Sequence, residues 1–299
     1  MRATLDSLLS QTIGLKYSLP NSSTSIPSIT ISTLPDDCFQ ILTEDAELAK
    51  VIYHGIVDYS FDENDIDLTK LQTFQQRALI QKLKFNTADT SEAQLKYGLY
   101  GEILLYLILQ KFYHTGTFIS RGYLYNPLNK SETTEYDTYQ MLQKTDNTTE
   151  LWFGEVKFHK DYRTGITQIL DKIGTSLSDN YFNTNLIAIE QYHSYINTSV
   201  NVSPILEAFR ENPCINLAEI AKDYGLSFVY PMLVIFNDND KSHEDVIKEV
   251  VEYTNTKYSA ININFSLNYS LFFILLPVKA AKEIKEQVRQ WILSNQPVI

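Results

Sequence analysis

From residue 92 onward, segments with helical periodicity alternate with short apolar segments typical of strands. The helical segments repeat apolar residues every three or four positions, whereas the strand segments are rich in aromatic and β-branched residues. In chain order they are a helix at Glu92–Tyr113, strands at Thr117–Tyr125, Thr133–Gln143 and Leu151–His159, and a helix at Ile166–Leu177. Such alternation predicts an α/β fold.

The rest of the chain extends this organisation. We predict helices over Asp179–Arg210 with a break near Asn201–Pro204, strands at Tyr230–Asn237 and Ser270–Val278, and helices at His243–Tyr258 and Ala280–Ser294. Before them, the sequence predicts a loop leading to a short strand near Ile29–Ser32 and an amphipathic helix at Leu68–Lys84. We therefore expect an N-terminal region, 1–90, packed on a domain of 91–299, with core motifs in 92–177, a helical insertion at about 179–212 and closing elements in 230–294.

Composition argues against several classes of protein. A hydrophobic fraction of 44% in 299 residues is enough for a core, but the longest apolar runs are far shorter than the roughly 20 residues that span a bilayer. Cys38 and Cys214 lie far apart and the first twenty residues lack a signal peptide's apolar core, so we expect a cytoplasmic protein. No P-loop, dinucleotide-binding glycine motif or zinc-type histidine spacing is present.

The net charge of −11 argues against a protein that binds nucleic acid unaided, because neutralising phosphates requires surplus Lys and Arg. The charge is uneven: 36–95 carry −7, 96–172 carry no net charge and 173–299 carry −5. For the acidic cluster Asp58–Asp67 we favour a solvated loop, since the spacing and glycine of a calcium loop are missing.

Glu102 lies in a helix that is apolar on nearly every side. At 3.6 residues per turn it shares a stripe with the apolar residues Leu95, Leu99, Tyr106 and Leu109. A buried carboxylate is costly unless it is paired, so we expect a cation or a hydrogen-bond donor beside it. The alternative is that Glu102 lies at an exposed edge of an imperfect helix.

The apolar strand Leu151–His159 carries an acid and a base two residues apart, Glu155 and Lys157. Because side chains alternate along a strand, these two project to one face and their apolar neighbours to the other. Taken alone, an E-x-K pattern is common by chance.

Asp137 lies on the preceding strand. If the two strands pair as a hairpin around Asp146, Asp137 faces Glu155 on the same side of the sheet. Two adjacent carboxylates repel each other, and a divalent cation relieves that repulsion; hard oxygen ligands suit Mg²⁺ or Mn²⁺.

About residues 92–177 resemble the PD-(D/E)xK nuclease core. The resemblance lies in the order of elements: a helix with Glu102, a strand with Asp137, a strand with Glu155-x-Lys157 and a second helix. The resemblance implies a central mixed sheet flanked by helices. Tyr136 stands where that core usually has a proline. Gln168 matches the RecB-like branch, but Lys172 replaces the aromatic residue four positions later.

More narrowly, GLYGEILLYLIL, EYDTYQ and LWFGEVKFHKDYRTGITQILDKI resemble the HamA family, the effector nuclease subunits of the Hachiman antiphage system. This resemblance implies a metal-dependent DNase that works with a superfamily 2 helicase subunit, HamB, and is inactive until foreign or damaged DNA is engaged. Given the charge distribution, we expect the partner to supply most of the affinity for DNA, with 58–67 as a candidate partner contact or shield for the site.

In the mechanism that these residue types suggest, Asp137, Glu155 and the Val156 carbonyl hold Mg²⁺, with Mn²⁺ as a substitute. Lys157 orients the attacking water and offsets charge on the phosphorane, while Glu102 supports the site or a second metal. The remaining candidates, which we assign to possible DNA contact, are His159, Lys160, Arg163 and Gln168; ordinary surface positions explain the three basic ones about as well.

Two other interpretations remain open. In one, the chain has a nuclease-like fold but serves only as an interaction or regulatory subunit of a DNA-processing complex. In the other, it is a generic α/β domain whose E-x-K pattern is accidental, which requires Glu102, Asp137 and Glu155 to lie far apart.

Overall fold

The computed structural model describes residues 1–19, 25–29, 31–83, 85–126, 131–132, 136–146, 148–192, 194, 196, 203–212, 214–258 and 263–298. The first residues of the strand predicted at Thr133–Gln143, and part of the helix break predicted near Asn201–Pro204, lie outside this set.

Within the described residues, seven strands form one mixed sheet in the order β1-β2-β9-β8-β7-β6-β3. Their bounds are β1 Ile13–Leu19, β2 Asp36–Ile41, β3 Gly116–Thr117, β6 Thr138–Gln143, β7 Thr149–Phe158, β8 Leu226–Asn237 and β9 Tyr269–Val278. Two short strands, β4 Tyr125–Asn126 and β5 Ser131–Glu132, pair separately. β7, β8, β9 and β2 run parallel, whereas β1, β6 and β3 join antiparallel, which confirms the predicted α/β fold with a mixed sheet.

Helices cover both faces of the sheet. Their bounds are α1 Ala3–Thr12, α2 Asp45–Ser60, α3 Leu71–Arg77, α4 Ser91–Gln94, α5 Leu99–Phe112, α6 Tyr162–Ser176, α7 Asp179–Glu190, α8 Ser203–Glu211, α9 Leu217–Asp223, α10 His243–Lys257 and α11 Ala281–Leu293. Apolar residues of α1, α2, α5 and α11 form one core layer, and those of α6, α7, α9 and α10 form the other. The central strands are buried on both faces, as parallel strands between helical layers require. No helix among the described residues is long and apolar enough to cross a membrane.

The N-terminal region belongs to this sheet. β2 runs parallel to β9, more than 230 residues away, while α2 packs against α5 and α11. The strand predicted near Ile29–Ser32 is wrong among the described positions, where Ile29 and Ile31 instead bury their side chains from a loop. The interpretation of 58–67 as a solvated loop is wrong for its first residues. Asp58 lies buried in the last turn of α2, and its carboxylate accepts hydrogen bonds from Arg2.

The helix predicted at Glu92–Tyr113 is interrupted. It divides into α4 and α5 around a turn that ends at Gly98, where a β-carbon would lie 2.2 Å from Glu102 Oε1. The strand predicted at Thr117–Tyr125 is largely wrong, because a 3-10 turn at Arg121–Tyr123 occupies its centre. By contrast, the predictions for β8, α10, β9 and α11 agree with the structure to within a few residues.

Candidate active site

The β6–β7 hairpin has the register expected from the sequence. Thr138 pairs with Gly154 and Gln143 with Thr149, around a turn in which Asp146 Oδ1 accepts hydrogen bonds from Thr148. Asp137 lies immediately before β6, and its N–H donates to the Gly154 carbonyl at 2.9 Å. The hairpin therefore brings Asp137 to the part of β7 that carries Glu155.

Asp137 contacts the backbone between the two E-x-K residues. Its Oδ2 accepts a hydrogen bond from the Val156 N–H at 2.8 Å. Because the N–H and C=O of one residue in an extended strand point to the same edge, the Val156 carbonyl faces this edge as well. β6 pairs with β7 no further than Gly154, so Asp137 rather than a paired strand lies beside Val156.

Glu155 is the most deeply buried member of the group, with 2% of its surface exposed. Lys157 Nζ forms an ion pair with Glu155 Oε1, and Lys172 Nζ lies 3.2 Å from Oε2. A carboxylate buried to this degree needs charge compensation and hydrogen bonds, and here lysines contact both of its oxygens. The alternation of β7 places Glu155 and Lys157 on one face, as predicted, and α6 packs on that face.

Lys157 links the predicted carboxylates electrostatically. Burial lowers the pKa of Lys157, but Glu155, followed by Asp137 and Glu102, outweighs burial and leaves the pKa above its ordinary value. The ammonium therefore stays protonated at neutral pH and is suited to orienting or stabilising negative charge rather than to removing a proton. The ion pair of Lys157 with Glu155 and the hydrogen bond from Val156 to Asp137 are the direct contacts within the predicted group.

Glu102 lies in the first turn of α5, on the opposite side of the sheet from α6. It is partly buried, and the Tyr59 hydroxyl donates a hydrogen bond to its Oε2 at 2.6 Å. One donor of the expected kind is thus a phenol from α2. This contact fixes one carboxylate oxygen of Glu102.

Two glycines let helices approach β7 closely from opposite faces. A β-carbon at Gly101 of α5 would lie 2.8 Å from Val156 Cγ2, closer than β-carbon contacts normally come. A β-carbon at Gly165 of α6 would lie 3.1 Å from Lys157 Cβ. Larger residues at these positions would push α5 or α6 away from the strand that carries the site.

The residues assigned to DNA contact do not form one basic surface. Burial lowers the pKa of His159, whose Nε2 lies 3.1 Å from Gln168 Oε1, so this histidine is neutral at pH 7. Arg163 is exposed, lies over the Tyr162 ring and has Nη1 3.6 Å from Asp161 Oδ1. Lys160 is also exposed.

A family model named HamA matches residues 22–292 of the 299. The chain belongs to the HamA family. This membership connects it to Hachiman defence and agrees with the resemblance noted in the sequence. No curated protein and no solved structure gives a significant match to the chain.

The donor set of this HamA chain consists of hard oxygens. Asp137 accepts a hydrogen bond from Val156 at one edge of β7, and Glu155 is the preceding residue on that strand; carboxylate and carbonyl oxygens suit Mg²⁺ or Mn²⁺. Among the described residues, no three His, Cys, Asp or Glu side chains come together as a ligand group. The fit to a metal therefore rests on two carboxylates and a backbone carbonyl, and Glu102 remains beside Tyr59.

Sequence reasoning missed several partners in this HamA site. The sequence showed Lys172 only as a departure from an expected aromatic residue, and its contact with Glu155 was not predicted. Lys172 lies on α6 one turn after Gln168, so it can reach the face of β7 that carries Glu155. Tyr59 and Lys285 come from α2 and α11, and Lys285 Nζ donates to the Phe158 carbonyl at 2.7 Å. Only the tertiary packing of those helices brings them near β7.

Proposed function

We propose that the chain is a metal-dependent DNA nuclease of the PD-(D/E)xK type, the effector of a Hachiman complex. The observation that carries this proposal is the meeting of Asp137 with the Val156 backbone, beside Glu155 and its ion pair with Lys157. Two acids, a backbone carbonyl and a lysine, on or beside one strand, are the groups that phosphodiester hydrolysis needs.

When bound, Mg²⁺ supplies positive charge to a phosphate oxygen and lowers the pKa of a coordinated water. Asp137, Glu155 and the Val156 carbonyl are the groups that would hold it. The Val156 N–H keeps the Asp137 carboxylate oriented by occupying one side of Oδ2. Burial of Glu155 between two lysines fixes the second carboxylate in the same way.

Lys157 supports hydrolysis as a fixed cation. Since its pKa is raised, it donates hydrogen bonds to the attacking oxygen or to the phosphate and offsets the charge that develops there. Glu102, held by Tyr59, contributes from the neighbouring helix by maintaining the position of Lys157 or assisting a second cation. Lys172 neutralises Glu155 from the α6 side.

We further propose that a helicase subunit delivers the DNA and controls access to the site. This proposal is supported by the HamA family match and the net charge of −11, which disfavours independent binding of a polyanion. A corollary is that the isolated chain binds DNA weakly at physiological salt.

A catalytically silent regulatory subunit is the competing function, and the two lysines on Glu155 are the observation that favours it. Lysines can replace a metal in neutralising a buried carboxylate. A rise in melting temperature with added Mg²⁺ or Mn²⁺ favours the nuclease, because ligand binding stabilises the folded state. No rise at millimolar metal favours the silent subunit.

The direct experiment assays plasmid and linear DNA with the chain alone and with its helicase subunit, in Mg²⁺ or in EDTA. We expect Mg²⁺-dependent cleavage that Asp137→Asn and Lys157→Ala abolish, while both variants stay folded and bind the partner. Asp161→Asn, an exposed acid near the site, is the control that should still cleave. Undiminished cleavage by either site variant would contradict the proposal.

A further inference from the structure

A pocket of about 260 Å³ adjoins the candidate active site. It lies between the turn before α5, the end of β7, α6 and α11. Its lining includes three lysines, Lys96, Lys157 and Lys285, together with Gln168 and His159. No Asp or Glu is among the described residues that line it. We call it the lysine pocket.

Lys285 is the feature of this pocket that calls for an anion. It is partly buried, its Nζ donates to the Phe158 carbonyl, and its ammonium lies 4.7 Å from the Phe158 ring centroid. Burial alone lowers the pKa of Lys285 to about 8, with no carboxylate among the described residues to raise it. A partly buried cation without a counter-ion carries a desolvation cost, and a bound anion would relieve that cost.

The other two lysines differ in their partners. Lys157 already pairs with Glu155, whereas Lys96 pairs with Glu92 in an exposed contact that contributes little. Lys96 can therefore turn towards a ligand at small cost. Val156 and Lys157 belong to both the pocket lining and the proposed catalytic group, so the pocket borders the proposed site of cleavage.

The geometry of β7 sets the spacing between the Lys285 contact in the lysine pocket and the proposed metal site at Val156. The Phe158 carbonyl that accepts from Lys285 and the Val156 carbonyl share one strand edge, because they are two residues apart. That separation is about 6.6 Å along the strand. Neighbouring phosphates of a nucleic-acid strand are separated by a comparable distance.

We propose that the lysine pocket binds the phosphodiester next to the cleaved one on the substrate strand, with Lys285 as the main contact and Lys96 as a second. This inference rests on the proposed nuclease function. It assigns a positioning role to a residue of the C-terminal helix, and it explains how an acidic protein holds a polyanion locally.

The test measures binding of the full chain to a labelled 12-nucleotide DNA by fluorescence anisotropy, at several low salt concentrations in EDTA. Lys285→Met keeps most of the side-chain length and removes the charge. We expect its affinity to fall about tenfold, since a charge-assisted contact to phosphate is lost. The slope of log affinity against log salt should shrink by roughly 0.7 to 0.9, the value for one phosphate.

Lys248→Met is the matched control. Lys248 is exposed on α10, and its substitution changes the net charge by the same amount. Equal behaviour of the two variants, or no measurable binding by the parent at the lowest salt, would overturn the proposal. Thermal unfolding of each variant checks that it is folded.

A second arm separates an internal phosphodiester from a terminal phosphate. The same oligonucleotide is compared with a 5′-hydroxyl and with a 5′-phosphate. Equal losses on both support the proposal, whereas a loss confined to the 5′-phosphorylated DNA overturns it in favour of an end-binding pocket.

The nuclease function is judged separately by cleavage in Mg²⁺. If Lys157→Ala abolishes cleavage and Lys285→Met binds as the parent does, the pocket proposal alone fails. If Lys157→Ala cleaves normally, the nuclease function fails whatever Lys285 does.

Discussion

The surfaces beside the two ends of α5 carry opposite charges. At its C-terminal end, a groove of about 830 Å³ is lined by Asp6, Asp62, Glu63 and Asp65; we call it the acidic groove. At its N-terminal end lies the lysine pocket. The helix has 14 residues, so the two regions are separated by about 21 Å. The helix dipole has its positive end at the lysines and its negative end at the acids, so it reinforces the difference.

The charges of the acidic groove are mostly satisfied within the chain. Glu63 pairs with the N-terminal amine, Asp6 with Lys111, and Asp62 accepts from Ser120. Lys285 of the lysine pocket donates to the Phe158 carbonyl, and no ion pair with an acid is found for it among the described residues. Net charge alone therefore does not locate a binding site in this chain, whereas a cation without an acidic partner does.

The largest difference between the candidate active site and the acidic groove should appear in the rate of DNA cleavage. Glu155→Gln removes a proposed metal ligand and should lower cleavage in Mg²⁺ by at least about 10³-fold. Glu63→Gln removes a charge of the same sign from the acidic groove and should leave cleavage within about twofold, because that groove lies at the far end of α5. Initial rates on plasmid DNA measure both, and equal losses would contradict the distinction.

The next largest effect concerns stability. Arg2→Ala should leave the buried Asp58, four residues before Asp62 of the acidic groove, without its guanidinium partner. We expect a cost of about 3 kcal/mol in unfolding free energy. Lys285→Met, which removes an uncompensated cation, should cost little or stabilise the fold. Urea unfolding measures the free energy of both variants. A smaller loss of unfolding free energy for Arg2→Ala than for Lys285→Met would contradict the contrast between the paired acids and the unpaired lysine.

A smaller effect is expected in metal binding. Lys172→Met removes one of the two cations on Glu155, so less repulsion opposes a divalent cation. The Mg²⁺ concentration that gives half of the thermal stabilisation should fall about threefold, as expected for a partly exposed ion pair. Lys248→Met provides the control, and weaker metal binding by Lys172→Met would show that Lys172 positions Glu155 instead.

The smallest effect concerns pH. Burial lowers the pKa of Lys285 to about 8, so its charge is present below that pH and is lost as the pH rises through it. DNA affinity should therefore fall by about threefold more in the parent than in Lys285→Met between pH 7 and pH 9. Anisotropy titrations at fixed salt measure this, and parallel pH curves would rule out a role for Lys285.

Local features of the sequence predicted the hairpin. The turn at Asp146 and the alternation of apolar residues set the register that brings Asp137 to β7, and both are encoded within about 20 residues. The same alternation placed Glu155 and Lys157 on one face. Short-range patterns were sufficient because the antiparallel strands are neighbours in the chain.

The remaining features depend on distant contacts. β2 pairs with β9 across the length of the chain, and Lys285 meets Phe158 over a separation of 127 residues. At the interruption between α4 and α5, the Glu102 carboxylate packs against Gly98. Periodicity in a single segment has no information about such partners, which explains why the N-terminal strands and the lysine pocket were not foreseen.

The central claim is that Asp137, Val156 and Glu155 form one divalent metal site. Substituting Fe²⁺ for Mg²⁺ and adding ascorbate and peroxide generates radicals that cut the backbone near the bound metal, and mass spectrometry maps the cuts. The account predicts cuts around residues 136–138 and 154–158 that Asp137→Asn suppresses. Cuts concentrated at 62–65 in the acidic groove, with none on β7, would contradict it.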